Sequence, residues 1–147
     1  MPAVKSISTY VISDDKRRLD VRLIHAFLFQ SYWSPGIPIS VVERAIAGSM
    51  CFGIYTGKDQ VGFARVITDQ ATFAYLADVF VLEPHRGKGL AARLMQSIES
   101  HPQLQGLRRC MLATRDAHSL YQKFGYRALS APERIMEKLN ANVYKAL

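Results

Sequence analysis

The stretch from Val79 to Met95 narrows the choice of fold more than any other part of this chain. It reads Val79-Phe80-Val81-Leu82-Glu83-Pro84-His85-Arg86-Gly87-Lys88-Gly89-Leu90-Ala91-Ala92-Arg93-Leu94-Met95. An apolar, partly β-branched run stops at Pro84, a basic turn with two glycines follows, and a helical pattern begins at about Leu90. A strand that turns this way into a helix leaves the first N–H groups of the helix without backbone partners. The partial positive charge there favours a phosphate. Gly87 and Gly89 place no Cβ in the way of a close ligand and permit positive φ, and Arg86 and Lys88 add fixed charge. The local physics predicts a diphosphate cradle.

Two common phosphate loops do not fit. A P-loop needs Lys-Ser/Thr after its last glycine, but Leu90 follows Gly89, with no hydroxyl for a metal. The dinucleotide fingerprint needs a third glycine where Ala92 stands, and no acidic ribose ligand is evident. Arg86-Gly87-Lys88-Gly89-Leu90-Ala91 instead resembles the coenzyme A loop of the GCN5-related N-acetyltransferases (GNAT), Gln/Arg-x-x-Gly-x-Gly/Ala. A second segment is similar to the same family's Asn-x-x-Ala-x-x-Leu-Tyr-x-Lys-x-Gly-Phe. It reads Thr114-Arg115-Asp116-Ala117-His118-Ser119-Leu120-Tyr121-Gln122-Lys123-Phe124-Gly125-Tyr126. Ala117, Leu120, Tyr121, Lys123 and Gly125 match, Tyr126 stands for Phe, and Thr114 departs from the usual Asn. That departure puts in question one polar contact to the pantetheine arm. The resemblance is strongest over residues 49–126 of what reads as a single domain, 1–147.

The resemblance implies an α/β fold with a mixed, mostly antiparallel central sheet, flanked by helices on both faces and splayed between the fourth and fifth strands. It implies acetyl-CoA as acetyl donor, no metal, and direct transfer of the acetyl group to a primary amine of a small molecule or peptide. The pantetheine arm would lie in the splay along the backbone of Val79, Phe80 and Val81, with Arg86 to Ala91 at the diphosphate. Thr114, Ala117 and Tyr121 would approach the donor from the other side. Two alternatives stay open: a non-catalytic acyl-CoA-binding module, and an acetyltransferase acting on a nucleic-acid-linked amine such as a charged tRNA.

Read along the chain, Ser6–Ile12 alternates as a first strand. Ser13-Asp14-Asp15 offers a cap for a helix running to about Gln30, and Ser40 one for a second helix through Ala47. Strands are expected at 50–55, 61–68, 73–81 and 110–114, with helices at 90–100 and 117–124. Tyr126–Leu129 and Arg134–Lys138 read as closing strands.

Charge and composition constrain partners. The net charge is +7, with 8 basic and 6 acidic residues in 1–70 against 11 and 6 in 71–147. The excess therefore falls in the half that carries the glycine turn, where Arg86, Lys88, Arg93, Arg108, Arg109, Arg115 and Lys123 are candidates to surround one anion. No Lys/Arg stripe interleaved with aromatics is present, so nucleic acid is not favoured. No apolar run is long enough for a membrane span. Met1–Thr9 lacks a signal-like apolar core, and Cys51 and Cys110 read as buried free thiols of a cytoplasmic protein. The apolar first helix and closing strands suggest, on family grounds, a homodimer.

Acetyl transfer to an amine needs a polarised carbonyl, a neutral amine and a protonated leaving thiolate. A backbone N–H near Val79 would serve the first, by the resemblance. Tyr121 is the candidate acid, because its ordinary pKa of about 10 lies near that of a thiol, about 8.5. Asp78, a carboxylate inside an apolar strand, is the candidate for the amine, as a base or as a holder of the ammonium, against a purely structural role. Asp69, at a strand end, reads as a turn former. Phe29, Tyr32 and Trp33 cluster before Pro35 as candidate walls of an acceptor pocket, or as a lid packed on the core.

Overall fold

In the computed structural model, residues 9–145 are described. Five strands form one sheet in the order of the chain: β1 (Tyr10–Ser13), β2 (Met50–Thr56), β3 (Asp59–Thr68), β4 (Phe73–Val81) and β5 (Arg109–Leu112). The first four pair antiparallel, and β5 lies parallel to β4. A parallel neighbour requires a crossover. Residues 82–108 supply it, including helix α3 (Leu90–Glu99). Helices α1 (Val21–Phe29) and α2 (Ile39–Ala47) precede β2, and the short α4 (His118–Gln122) follows β5.

Alternation along the strands divides the core in two. Phe52, Ile54, Ala64, Val66, Ala74 and Leu76 pack with Leu90, Leu94, Met95 and Ile98 of α3 on one face. Cys51, Phe63 and Phe80 pack with Ile24 and Leu28 of α1 and Val42 and Ile46 of α2 on the other. Strict alternation from Ala74 and Leu76 would put Phe80 on the α3 face. It does not, because β4 bulges. Phe63 pairs with Phe80 and Arg65 with Ala77, so Asp78 and Val79 together oppose Ala64. Asp78 takes φ +57° there, a left-handed conformation that Asp tolerates better than most residues. One extra residue reverses the phase of everything beyond it. Val79 and Val81 then turn to the α3 face and Phe80 to the α1 face.

The first helix begins later than its sequence suggests. Ser13 Oγ does accept a backbone N–H, from Asp15 at 3.1 Å, but that closes a turn ahead of a short 3₁₀ segment, Lys16–Arg18. The cap of α1 is Asp20, whose Oδ1 accepts from Leu23 N at 3.1 Å. Its own N–H donates to the buried Gln60 at 2.7 Å, which fastens the helix start to β3. Pro38, not Ser40, precedes α2. Of the first expected strand, Ser6–Ser8 lie outside the described residues, as do most of Met1–Thr9.

Neither closing strand forms. Tyr126–Leu129 runs beside β5 without pairing, across a gap of about 340 Å³. Pro132 opens a 3₁₀ turn where a strand approach was expected, and Ile135 and Met136 stand exposed. Cys110 is exposed on β5, whereas Cys51 is buried as expected. No helix among the described residues is long and apolar enough to cross a membrane.

Candidate active site

β5 pairs with β4 only over Phe73–Leu76. From Ala77 onward β4 has no β5 partner, and the strands part at their C-terminal ends. The gap opens into a cleft of about 870 Å³ that Val79, Phe80 and Val81 line from β4. Gly87, Gly89 and the first residues of α3 line it further along. Gly87 and Gly89 have φ +77° and +74°, and a Cβ on either would meet nothing within 4 Å. No side chain caps α3. Uncapped N–H groups, helix charge and a space that only glycine leaves open suit an anion such as a diphosphate.

Of the seven basic residues considered, Arg86, Arg115 and Lys123 line this cleft. Arg86 also ties the turn to the strand, its Nε donating to the Val81 carbonyl at 2.7 Å. Lys88 is exposed and lies outside the lining. Arg93 donates to the Tyr10 carbonyl at 3.2 Å. Arg108 and Arg109 stand where β5 begins. Because β4 and β5 are parallel and part at their far ends, that position is the wrong end of the sheet.

A second cavity, about 620 Å³, is lined by Arg65, Tyr75, Asp78 and Thr114, among others. It shares Val79, Tyr121, Tyr32 and Trp33 with the first. Two openings therefore meet at the Val79 segment, with the Tyr121 and Tyr32 phenols and the Trp33 indole between them. The Tyr121 ring is buried, edge-on to Tyr126 at 6.0 Å between centroids. Its hydroxyl has no hydrogen bond to another described residue, and burial raises its pKa above the usual tyrosine value. Thr114 Oγ1 accepts from Ala117 N at 3.0 Å, a local turn ahead of α4.

Each oxygen of Asp78 accepts a hydrogen bond. Its Oδ2 accepts from Arg65 Nε at 2.8 Å and its Oδ1 from Trp33 Nε1 at 2.9 Å. Tyr32 faces the opposite wall, its hydroxyl accepting from Arg115 N at 3.2 Å while the guanidinium stacks 3.9 Å above its ring. Phe29 does not join them. It is half-exposed and packs on His25. Phe27, two residues earlier on α1, lines the cleft in its place and stacks on Phe80 at 3.9 Å. At about 100° per residue, positions 27 and 29 face nearly opposite ways.

The matches to known proteins agree with this architecture. Residues 47–128 match the family model described as an acetyltransferase (GNAT) domain. The chain belongs to the GNAT acetyltransferase family. It is 35% identical over 137 residues to the Gibberella zeae protein named "Putative acetyltransferase FG08082", covering 78% of this chain and 76% of that one. The crystal structure of a "putative acetyltransferase belonging to the gnat family" from Xanthomonas campestris pv. campestris superposes with a TM-score of 0.90 at 48% identity. That match covers 92% of this chain and 96% of the other. The acetyl-CoA complex of a predicted acetyltransferase from Clostridium acetobutylicum shares the fold, with a TM-score of 0.63 at 14% identity, over 89% and 94% of the two chains.

For a GNAT chain, three residues around the cleft escaped the sequence reading. Phe27 is one. His85 lines the cleft with its Nδ1 2.9 Å from the Tyr10 hydroxyl. Arg65 reaches Asp78 from the neighbouring strand, and only its unusual place in an apolar β-run hinted at a partner. Asp69 is the turn former it resembled. Its carboxylate accepts from the Thr72 hydroxyl and three backbone N–H groups, which hold its pKa well below the usual carboxylate range. Burial pushes the Cys51 thiol up to about 11, which leaves it no nucleophile.

Proposed function

We propose that this single domain is an N-acetyltransferase that moves the acetyl group of acetyl-CoA directly to a primary amine of a small molecule or peptide, in the cytoplasm. The observation that carries the reading is the meeting of two cavities at Val79 and Tyr121. One holds an uncapped helix start and a glycine cradle suited to a diphosphate; the other is a separate approach for an acceptor. The acyl-CoA complex of the Clostridium acetobutylicum relative supports the choice of donor. Two free cysteines fit a reducing compartment.

Acetyl-CoA supplies an activated acyl thioester; the chain supplies position and protons. Gly87, Gly89, Leu90 and Ala91 seat the diphosphate, with Arg86 beside it and Lys88 at longer range. Ala117, Phe80 and Val81 line the arm, and Thr114 faces the acceptor side. The Val79 N–H, beside the bulge and with no β5 neighbour, would donate to the carbonyl oxygen. Tyr121 holds a proton at Oη for the departing thiolate. Tyr32, Trp33 and Asp78 line the acceptor approach. With both Asp78 oxygens occupied, the geometry favours water over Asp78 as the carrier of the amine's proton.

Saturating acetyl-CoA tests the donor. At about 100 times Kd it adds roughly 2.7 kcal/mol of stability, a rise in thermal midpoint of about 5–10 °C for a domain this size. A flat midpoint overturns the reading. Thiol release against a panel of amines, amino acids and peptides then identifies the acceptor.

We further propose a homodimer. β5 is an edge strand with β4 as its one partner among the described residues, and open edges pair readily. Sedimentation at micromolar concentration should give about twice 16.5 kDa, and a mass near 16.5 kDa rejects the dimer.

A further inference from the structure

The loop between α1 and α2 lies across the opening and is tied to both sides of it. Trp33 bonds Asp78 in the β4 bulge, and Tyr32 bonds and stacks on Arg115, beyond β5. The loop is also braced from within. Buried Ser31 donates to the Leu28 carbonyl at 2.7 Å and accepts from Ser34 N at 3.0 Å, while Gly36 N donates to the Phe29 carbonyl. Behind Asp78, Arg65 donates onward to Ser49 Oγ at 3.1 Å. A chain of bonds thus runs from Ser49 through Arg65 and Asp78 to Trp33. Its last member lines both cavities.

This arrangement gives the bulged carboxylate a task that needs no proton transfer. The Asp78 side chain is about 9% exposed and its ion-pair partner about 17%. At such burial an ion pair keeps much of its strength and fixes geometry. We propose that Arg65 and Asp78 are positioning residues that hold Trp33 across the cleft, so that Trp33 is the wall dividing the donor groove from the acceptor pocket. The inference rests on the donor reading above for the identity of that groove, though the placement of Trp33 is testable without any ligand. Releasing the loop lowers the fraction of molecules with a formed wall, and apparent affinity falls by that fraction. If about a fifth of molecules keep the wall, acetyl-CoA binds about 5-fold more weakly.

Trp33 is the sole tryptophan of the chain, so its fluorescence reports this site alone. Asp78→Asn keeps the size of the side chain and its tolerance of positive φ, but removes the charge that holds Arg65. Acrylamide quenching of Trp33 should rise about 2-fold in this variant, with thermal unfolding still cooperative. Calorimetry with acetyl-CoA should show a loss of about 5-fold for Asp78→Asn and also for Trp33→Phe, which removes only the N–H link and part of the ring. The double variant should lose no more than either single one, because both act through the same contact. Quenching unchanged in Asp78→Asn overturns the proposal, and so does a double variant whose loss is the product of the two. Should Asp78→Asn fail to fold, Trp33→Phe decides alone, and wild-type affinity in it overturns the proposal. A wild-type chain that binds no acetyl-CoA overturns the donor reading instead, while the quenching comparison still judges the positioning of Trp33.

Discussion

Tyr121→Phe is expected to lower acetyl transfer by about 10²–10⁴-fold, the usual range for losing a positioned acid, while acetyl-CoA affinity stays within a few-fold of wild type. The asymmetry follows from the site. The ring is buried against Tyr126 and the substitution keeps its packing. The hydroxyl has no described hydrogen-bond partner to lose, so the cost to the fold is small. What disappears is a phenol, lining both cavities, whose proton no other described residue holds. The pH profile adds a second readout. Burial raises the Tyr121 pKa, so the phenol stays protonated, and competent as an acid, to a pH above the ordinary tyrosine value of about 10. A falling limb should therefore appear only above that value in wild type, and vanish from the residual activity of Tyr121→Phe. Steady-state rates with the best amine of the panel supply the measurement. Equal turnover for the two proteins at every pH would make water the acid and leave Tyr121 a packing residue.

The parts of this site that were legible in the sequence are those where local and tertiary demands coincide. The apolar run ending at Pro84, the glycines at 87 and 89 and the helix from Leu90 each have a local cause, and the fold uses them in place. Tyr121 and Ala117 line the cleft, and a motif on one short helix and its approach singles them out in the sequence. What stayed hidden depends on partners distant in sequence. Nothing near Asp78 announces that Arg65, 13 residues away, and Trp33, 45 residues away, will take its two oxygens. The bulge at Asp78 and Val79 decides which face Phe80 and Val81 present, yet the run reads as an unbroken strand. Phe29 and Phe27 are equally apolar, and only the angle of α1 against β4 picks Phe27. Charge summed along the chain groups Arg108 and Arg109 with the cleft, but the parallel course of β5 puts them at its other end. The closing strands had the right alternation but gained no partner, and pairing rather than pattern makes a strand.

Gly89→Val should weaken acetyl-CoA binding by about 10²-fold or more, and a matched control separates that loss from damage to the fold. At φ +74° a residue with a Cβ is strained, by roughly 1–2 kcal/mol, and a β-branched one fits worst. That strain lowers the thermal midpoint by several degrees but does not by itself touch the ligand. The affinity loss has another origin. The valine would fill space that is open above the first turn of α3, where the N–H groups of a ten-residue helix face the cleft without a side-chain cap. Losing two charge-assisted hydrogen bonds, each worth about 1.5–3 kcal/mol, corresponds to about 10²–10⁴-fold in Kd. Gly106 provides the control. Its φ is +73° and a Cβ there likewise meets nothing within 4 Å, but it sits just before β5, at the end of the sheet away from the cleft. Gly106→Val should cost similar stability and leave acetyl-CoA affinity near wild type. Calorimetry well below both midpoints makes the comparison. If Gly89→Val binds acetyl-CoA as tightly as Gly106→Val, the diphosphate does not sit on this turn, and the cleft's basic wall of Arg115 and Lys123 becomes the place to look for it.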